Sequence, residues 1–304
     1  MSLFQPSRRN LPTFLARLLP RLLPPILAVL IGINLMACTE PIPLPDPGPR
    51  AMWVWDYSWV DKPAEASALL NFAKNNQIDT FFLESGAVLS DRPRRLEEFI
   101  HQAAAQDIQV ELLFGGNEWI ERPETAIALA KQASKFIADM SEPKASAIHF
   151  DVEPHALPGW DDDKQYFSNL YLDLLDRLRP AVGGTPLHVD IGHFYAKVEV
   201  SRAGVTKPLL SWVLERVDGA TLMAYNSNPQ TVLAFVADEF KLSQGTGKKL
   251  RVGLACECSL TPLENYCSHE SLNTALSTVR QRYGSHPNFA GLAVQAYAAY
   301  RSLK

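Results

Sequence analysis

No aspartate or glutamate occurs in the first 37 residues, although the chain carries 33 of them. Such a stretch is read as an address, not as part of the fold. Also absent is any unbroken run of about 20 apolar residues, the length needed to cross a bilayer. The longest candidate, Leu22 to Met36, is interrupted by Pro24, Pro25 and Asn34. Basic residues are in deficit. With the four arginines of the address removed, 25 basic residues face 33 acidic ones and the net charge moves from −4 to −8. A nucleic-acid partner is therefore not expected. Cysteine is scarce, with four in 304 residues: Cys38 stands alone, while Cys256, Cys258 and Cys267 share one short stretch.

What is present begins with Arg8, Arg9, Arg17 and Arg21 ahead of the apolar run, the order of a secretory signal peptide over residues 1–37. The run ends in Leu35, Met36, Ala37 and Cys38, which resembles a lipobox. The resemblance implies cleavage before Cys38, acylation of that cysteine and a membrane-anchored lipoprotein of the cell envelope. Thr39 stands where some lipoproteins carry a retaining aspartate, so for a Gram-negative host the resemblance implies the outer membrane. Residues 38–50 follow, with Pro41, Pro43, Pro45, Pro47 and Pro49 at every second position. This pattern favours extended polyproline II, about 3.1 Å per residue, and reads as a tether.

About 254 residues remain, 51–304, the usual size of one barrel domain. Export to an oxidising compartment permits one disulfide, either Cys258 with Cys267 or Cys256 with Cys267. Short β-prone runs alternate with helical stretches. The strand expectations are 51–56, 79–84, 109–115, 146–152, 187–192, 218–225, 250–256 and 289–296. Amphipathic segments such as 63–76, 93–106, 123–140, 163–179 and 268–283 lie between them. Eight strands with seven helices predict a single-domain α/β fold, a (β/α)8 or TIM barrel, whose final helix is short or missing. A doubly wound open sheet is the alternative. It is disfavoured because Trp55, Asp56, Tyr57, Ser58 and Trp59 follow the first strand where a glycine-rich phosphate loop would stand.

Active sites of such barrels sit at the C-terminal strand ends. The fourth strand is the richest, His149-Phe150-Asp151-Val152-Glu153-Pro154-His155, and a period of two puts His149, Asp151 and Glu153 on one face. Two carboxylates so close repel, and repulsion raises one pKa into the range of a general acid. Other strand ends supply Asp56, Glu84, Asn117, Glu118, Asp190, Tyr225, Asn226, Glu257 and Gln295. Trp53, Trp55, Trp59, Trp119 and Trp160 offer flat faces for sugar rings, or core material.

The strand order, the FDVEP segment and Met223-Ala224-Tyr225 on the sixth strand resemble the chitinase-type, family 18 glycoside hydrolases. The resemblance implies Glu153 as general acid, Asp151 orienting a substrate acetamido group and Tyr225 contacting the intermediate, with the substrate's own N-acetyl oxygen as nucleophile. No cofactor or metal is expected, and the resemblance implies a carbohydrate partner: a polysaccharide or cell-wall glycan. Trp55, Asp56, Glu84, Asp190, Asn226 and Gln295 are the expected substrate-binding residues. The motif departs from the family at Ser146 and His149, where acids are usual, at Asn226, and at the eighth strand, which closes on Gln295 and Tyr297 without tryptophan. A non-catalytic carbohydrate-binding barrel is therefore the alternative. Glu153 with Glu257 on the seventh strand forms a second glycosidase pattern, the two-glutamate arrangement. A metal-dependent hydrolase would draw on His149, Asp151, Glu153, His155, His188, Asp190 and His193.

Overall fold

Each of the eight apolar runs forms a strand. In the computed structural model, which describes residues 46–258 and 263–304, these are β1 (Arg50–Val54), β2 (Ile78–Glu84), β3 (Gln109–Gly115), β4 (Ala147–Asp151), β5 (Leu187–Gly192), β8 (Gly219–Met223), β9 (Lys249–Ala255) and β10 (Phe289–Gln295). All pair in parallel, and β1 joins both β2 and β10, so the sheet closes into a barrel. The remaining two strands, β6 (Glu199–Arg202) and β7 (Val205–Pro208), form an antiparallel hairpin outside it.

Alternation along the strands separates two cores. Met52, Val54, Phe81, Leu83, Leu112, Phe150, Ile191 and Leu222 face outward and pack with the apolar sides of the helices. Inward, Ala51, Trp53, Phe82, Leu113 and Ala293 form a small apolar cluster. The Trp53 indole crosses the barrel to β9, where a Cβ on Gly253 would lie 2.8 Å from Cη2. Only glycine leaves room there. The rest of the interior is polar, and it supports the site described below.

The expected helices appear at Pro63–Asn75, Pro93–Ala104, Glu124–Asp139, Lys164–Ala181 and His269–Tyr283, with a further one at Pro229–Ser243. Proline opens three of them, where its missing N–H costs nothing. Asp163 and Ser268 cap two others by accepting from the backbone N–H of Tyr166 and Ser271. The final helix is one turn, Tyr297–Tyr300. That side of the barrel is closed by aromatic contact, since Phe72 meets Tyr297 and Tyr300 edge-on at 5.3 and 5.2 Å between ring centroids.

Cys38, the signal segment and the tether as far as residue 45 lie outside the described residues. Residues 46–49 already rest on the barrel base. Asp46 accepts hydrogen bonds from the Gly48 N–H (2.9 Å) and Gln77 Nε2 (3.2 Å), and Arg280 donates to the Pro49 carbonyl (3.0 Å). Gly48 adopts φ +66°, a left-handed conformation that suits glycine. Of the two disulfides left open by the sequence, Cys258 pairs with Cys267, and Cys256 is buried as a free thiol.

Candidate active site

The barrel interior is built upward from Glu111 on β3. Its Oε1 accepts from Arg251 at 2.8 Å, and its Oε2 meets His149 Nδ1 at 2.8 Å and His188 Nδ1 at 2.9 Å. Burial alone would raise this carboxyl. The Arg251 guanidinium, His188 and the His149 hydrogen bond instead hold it well below the usual carboxylate range. On its other side His149 Nε2 lies 3.0 Å from Asp190 Oδ1, and Asp190 Oδ2 accepts the Trp53 indole N–H at 2.9 Å. Burial works against a charged imidazole, yet the charge and hydrogen bond of Asp190, with those of Glu111, push His149 up to about 10. At neutral pH it is a buried imidazolium between two acids.

Both ring nitrogens of His149 are engaged in this way, which removes it from the metal-ligand reading. Among the described residues no cluster of three His, Cys, Asp or Glu side chains is arranged to hold a metal ion. His193, another candidate ligand, contacts the Met223 carbonyl through Nδ1 (3.0 Å) and stacks on Phe235 at 3.9 Å. Its role there is structural.

One step nearer the C-terminal end of β4 lies Asp151, in register with Gly115 of β3 and Asp190 of β5. Its Oδ1 is shut off from solvent and has no hydrogen-bond partner. Burial, followed by the charges of Asp190 and Glu153, raises Asp151 well above the carboxylate range against the weaker pull of His149. Asp151 is therefore biased toward its protonated form. Glu153, two residues on, keeps 30% of its side chain exposed. Its backbone N–H donates to Asn117 Oδ1 at 2.8 Å, and its Oε2 lies 3.2 Å from His155 Nε2. Asn117 reaches that position because Gly116, just before it, leaves room for the Trp119 ring, which a Cβ would approach to 2.5 Å.

Tyr225 belongs to the same mouth. Its hydroxyl is pushed far above the tyrosine range by burial and then by the charges of Asp190, Asp151 and Glu153. Tyr171, on the helix behind β4, responds to burial and to the same three acids, and its buried hydroxyl has no hydrogen-bond partner.

The rim residues fall into two groups. Trp55 is partly accessible, lies beside Gly115 and donates to Gln295 Oε1 at 3.4 Å, so the first and last strand ends are linked by an indole. Glu84 is raised by burial, partly offset by hydrogen bonds to its Oε1 from the Tyr57 hydroxyl (2.7 Å) and the Gly86 N–H (3.0 Å). The second group is tied up locally. Asp56 Oδ1 accepts from the backbone N–H of Ser58, and Asn226 Oδ1 from that of Asn228. Glu257 is exposed and lines a cavity of about 540 Å³ with Cys258, Cys267 and the C-terminal residues Ser302 to Lys304. Of the five tryptophans considered for sugar stacking, Trp53, Trp59, Trp119 and Trp160 are core, and Trp55 alone is partly accessible.

No protein-family model and no curated protein sequence matches this chain. Solved structures do superpose on it. A GH18 chitinase from Pseudoalteromonas aurantia aligns with TM-score 0.55 and 14% identity, covering 82% of this chain and 94% of that one. A candidate alpha-L-fucosidase from Bacteroides thetaiotaomicron gives TM-score 0.56 at 11% identity, over 84% and 91%. A candidate deoxyribose-phosphate aldolase from Toxoplasma gondii also superposes, with TM-score 0.47 and 9% identity over 85% and 89%. At such identities the likeness is one of fold, the (β/α)8 barrel.

Sequence reasoning missed Glu111, Arg251, Tyr171 and Tyr195. A signal existed for the first two: each is a charged residue inside an apolar strand run, at an inward position of the two-residue period.

Proposed function

We propose that this protein is a glycoside hydrolase acting on a polysaccharide or cell-wall glycan at the C-terminal mouth of the barrel. One observation carries the reading: Asp151, buried at the end of β4 and biased toward its protonated form, stands two residues before a partly accessible Glu153 just past the strand end. Glu153 in its acid form gives its proton to the glycosidic oxygen as the bond from the anomeric carbon breaks, and the bonding pair leaves with that oxygen. An N-acetyl oxygen of the substrate attacks the anomeric carbon, and Asp151 orients that acetamido group by accepting a hydrogen bond from its N–H, which becomes more acidic as the oxygen attacks. Tyr225 completes the wall around the intermediate, and Trp55 with Gln295 offers the accessible indole for a sugar ring. The two-glutamate alternative draws no support from Glu257, which is exposed beside the Cys258–Cys267 disulfide and lines a cavity there without Glu153.

The test is turnover of chromogenic glycosides and insoluble glycans by the wild type and Glu153→Gln. The expected loss in the variant is about 10²- to 10⁴-fold. Binding without product release by either protein would instead establish the carbohydrate-binding barrel, which the replacement of family acids by Ser146 and His149 favours.

The protein is further proposed to be exported and held in the cell envelope by acylation of Cys38, a reading supported by the arginine, apolar run and lipobox order. Metabolic labelling with a fatty acid should mark the wild type and not Cys38→Ala. Label retained by the variant would refute the anchor.

A further inference from the structure

We propose that His155 is a positioning residue that confines the acid proton of Glu153 to Oε1, the oxygen left free for a substrate. The inference rests on reading Glu153 as the proton donor. It starts from Tyr195, which is 0% exposed and whose hydroxyl contacts His155 Nδ1 at 3.2 Å. A buried O–H group without an acceptor is costly, so the tyrosine donates and Nδ1 is the lone-pair nitrogen of a neutral ring. The ring proton then sits on Nε2. That nitrogen is 3.2 Å from Glu153 Oε2, so the imidazole N–H donates to this oxygen.

A carboxylic acid has one carbonyl-type oxygen, the better acceptor, and one hydroxyl oxygen. An N–H fixed on Oε2 makes Oε2 the carbonyl end and leaves the acid proton on Oε1. The imidazole has little freedom to do otherwise. Phe194, Tyr195 and Trp160 meet it edge-on at 5.2, 5.8 and 6.3 Å between centroids, and 18% of its side chain is exposed. The Glu153 backbone is fixed independently by Asn117, so the histidine controls the carboxyl end alone.

Nitrogen NMR of the full-length chain labelled with ¹⁵N-histidine, with His155 assigned by comparison with His155→Gln, reads the tautomer directly. The expected signals at neutral pH are a protonated Nε2 and a bare Nδ1, and Tyr195→Phe should shift the population toward Nδ1–H. A wild-type ring protonated at Nδ1, or at both nitrogens, overturns the proposal whether or not the protein cleaves glycans. On whichever glycan the wild type turns over, His155→Leu should lower kcat about tenfold or more at unchanged KM, the loss expected when one hydrogen bond to the acid is missing. His155→Gln, which keeps an N–H donor, should recover most of it. Equal activity of the leucine variant and the wild type also overturns the proposal. The predicted tautomer in a protein that turns over no glycan sinks the hydrolase reading instead. Melting curves of the glutamine and phenylalanine variants separate these outcomes from misfolding.

Discussion

Glu111 and Asp151 are carboxyl groups on neighbouring strands of one barrel, and burial pushes both upward. They nevertheless shift in opposite directions. Glu111 has Arg251, His149 and His188 around it and stays an anion. Asp151 has two acids as its principal electrostatic neighbours, an unpartnered Oδ1, and is pushed toward the neutral acid. Burial therefore does not decide the charge of a carboxyl group in this interior; the count of cations within hydrogen-bond reach does. The base of the barrel is a compensated ionic lattice, and the mouth is an uncompensated acid cluster of the kind that does proton chemistry.

Removing the anion from the base should have the largest effect. Glu111→Leu strands the partly buried Arg251, leaves His149 with Asp190 as its single acid partner, and should cost about 3–5 kcal/mol, read as a lower urea midpoint. A variant as stable as the wild type would mean that the lattice is not compensating charge. Next comes the pH dependence set by His149. Its folded pKa is raised to about 10, so the stability it contributes is fully present below the ordinary imidazole value of 6.5 and is lost as the pH rises through about 10. The slope should approach about 1.4 kcal/mol per pH unit inside that window. Denaturation of wild type and His149→Gln from pH 6 to 10 checks it, the variant being weaker at pH 6 and flatter above.

Asp151 should show the same sign from a different cause. A raised carboxyl holds its proton in the fold when the unfolded chain has already released it, so the wild type loses stability as pH climbs out of the ordinary carboxylate range. Asp151→Asn escapes this and should be more stable than the wild type at pH 7, an advantage that vanishes near pH 4. Equal stability at both pH values would show Asp151 to be ionised at neutrality. The smallest effect is expected of Trp53→Phe, which removes one indole hydrogen bond to Asp190 and should cost about 1.5 kcal/mol in the same denaturation assay.

The barrel is legible in the sequence because each strand is a short apolar run and each helix repeats at its own period. The β6 and β7 hairpin is not. Its residues alternate around a single buried Val200, and its mark is a two-residue turn, Ala203 and Gly204, at φ +51° and +81°. The mouth is legible at Asp151, Glu153 and Asp190 because polar residues at strand ends stand out against apolar runs. Glu111 gains its meaning from Arg251, 140 residues later, a pairing that only closure of the barrel creates. Tyr195 was hidden for a related reason. It sits in the connection after β5, where a buried tyrosine reads as core until His155 is seen beside it.

The crossing of Trp53 to Gly253 makes the indole a partition wall. Together with Phe82, Leu113 and Ala293 it forms the apolar middle of the barrel interior. The cavity of about 180 Å³ at the base, lined by His188, Thr221, Lys249 and Arg251, shares no lining residue with the mouth carboxyls Asp151 and Glu153. Water and protons arriving at the base meet His188 and Arg251, whereas those arriving at the mouth meet Glu153. The two ends of this protein meet the same solvent through different doors.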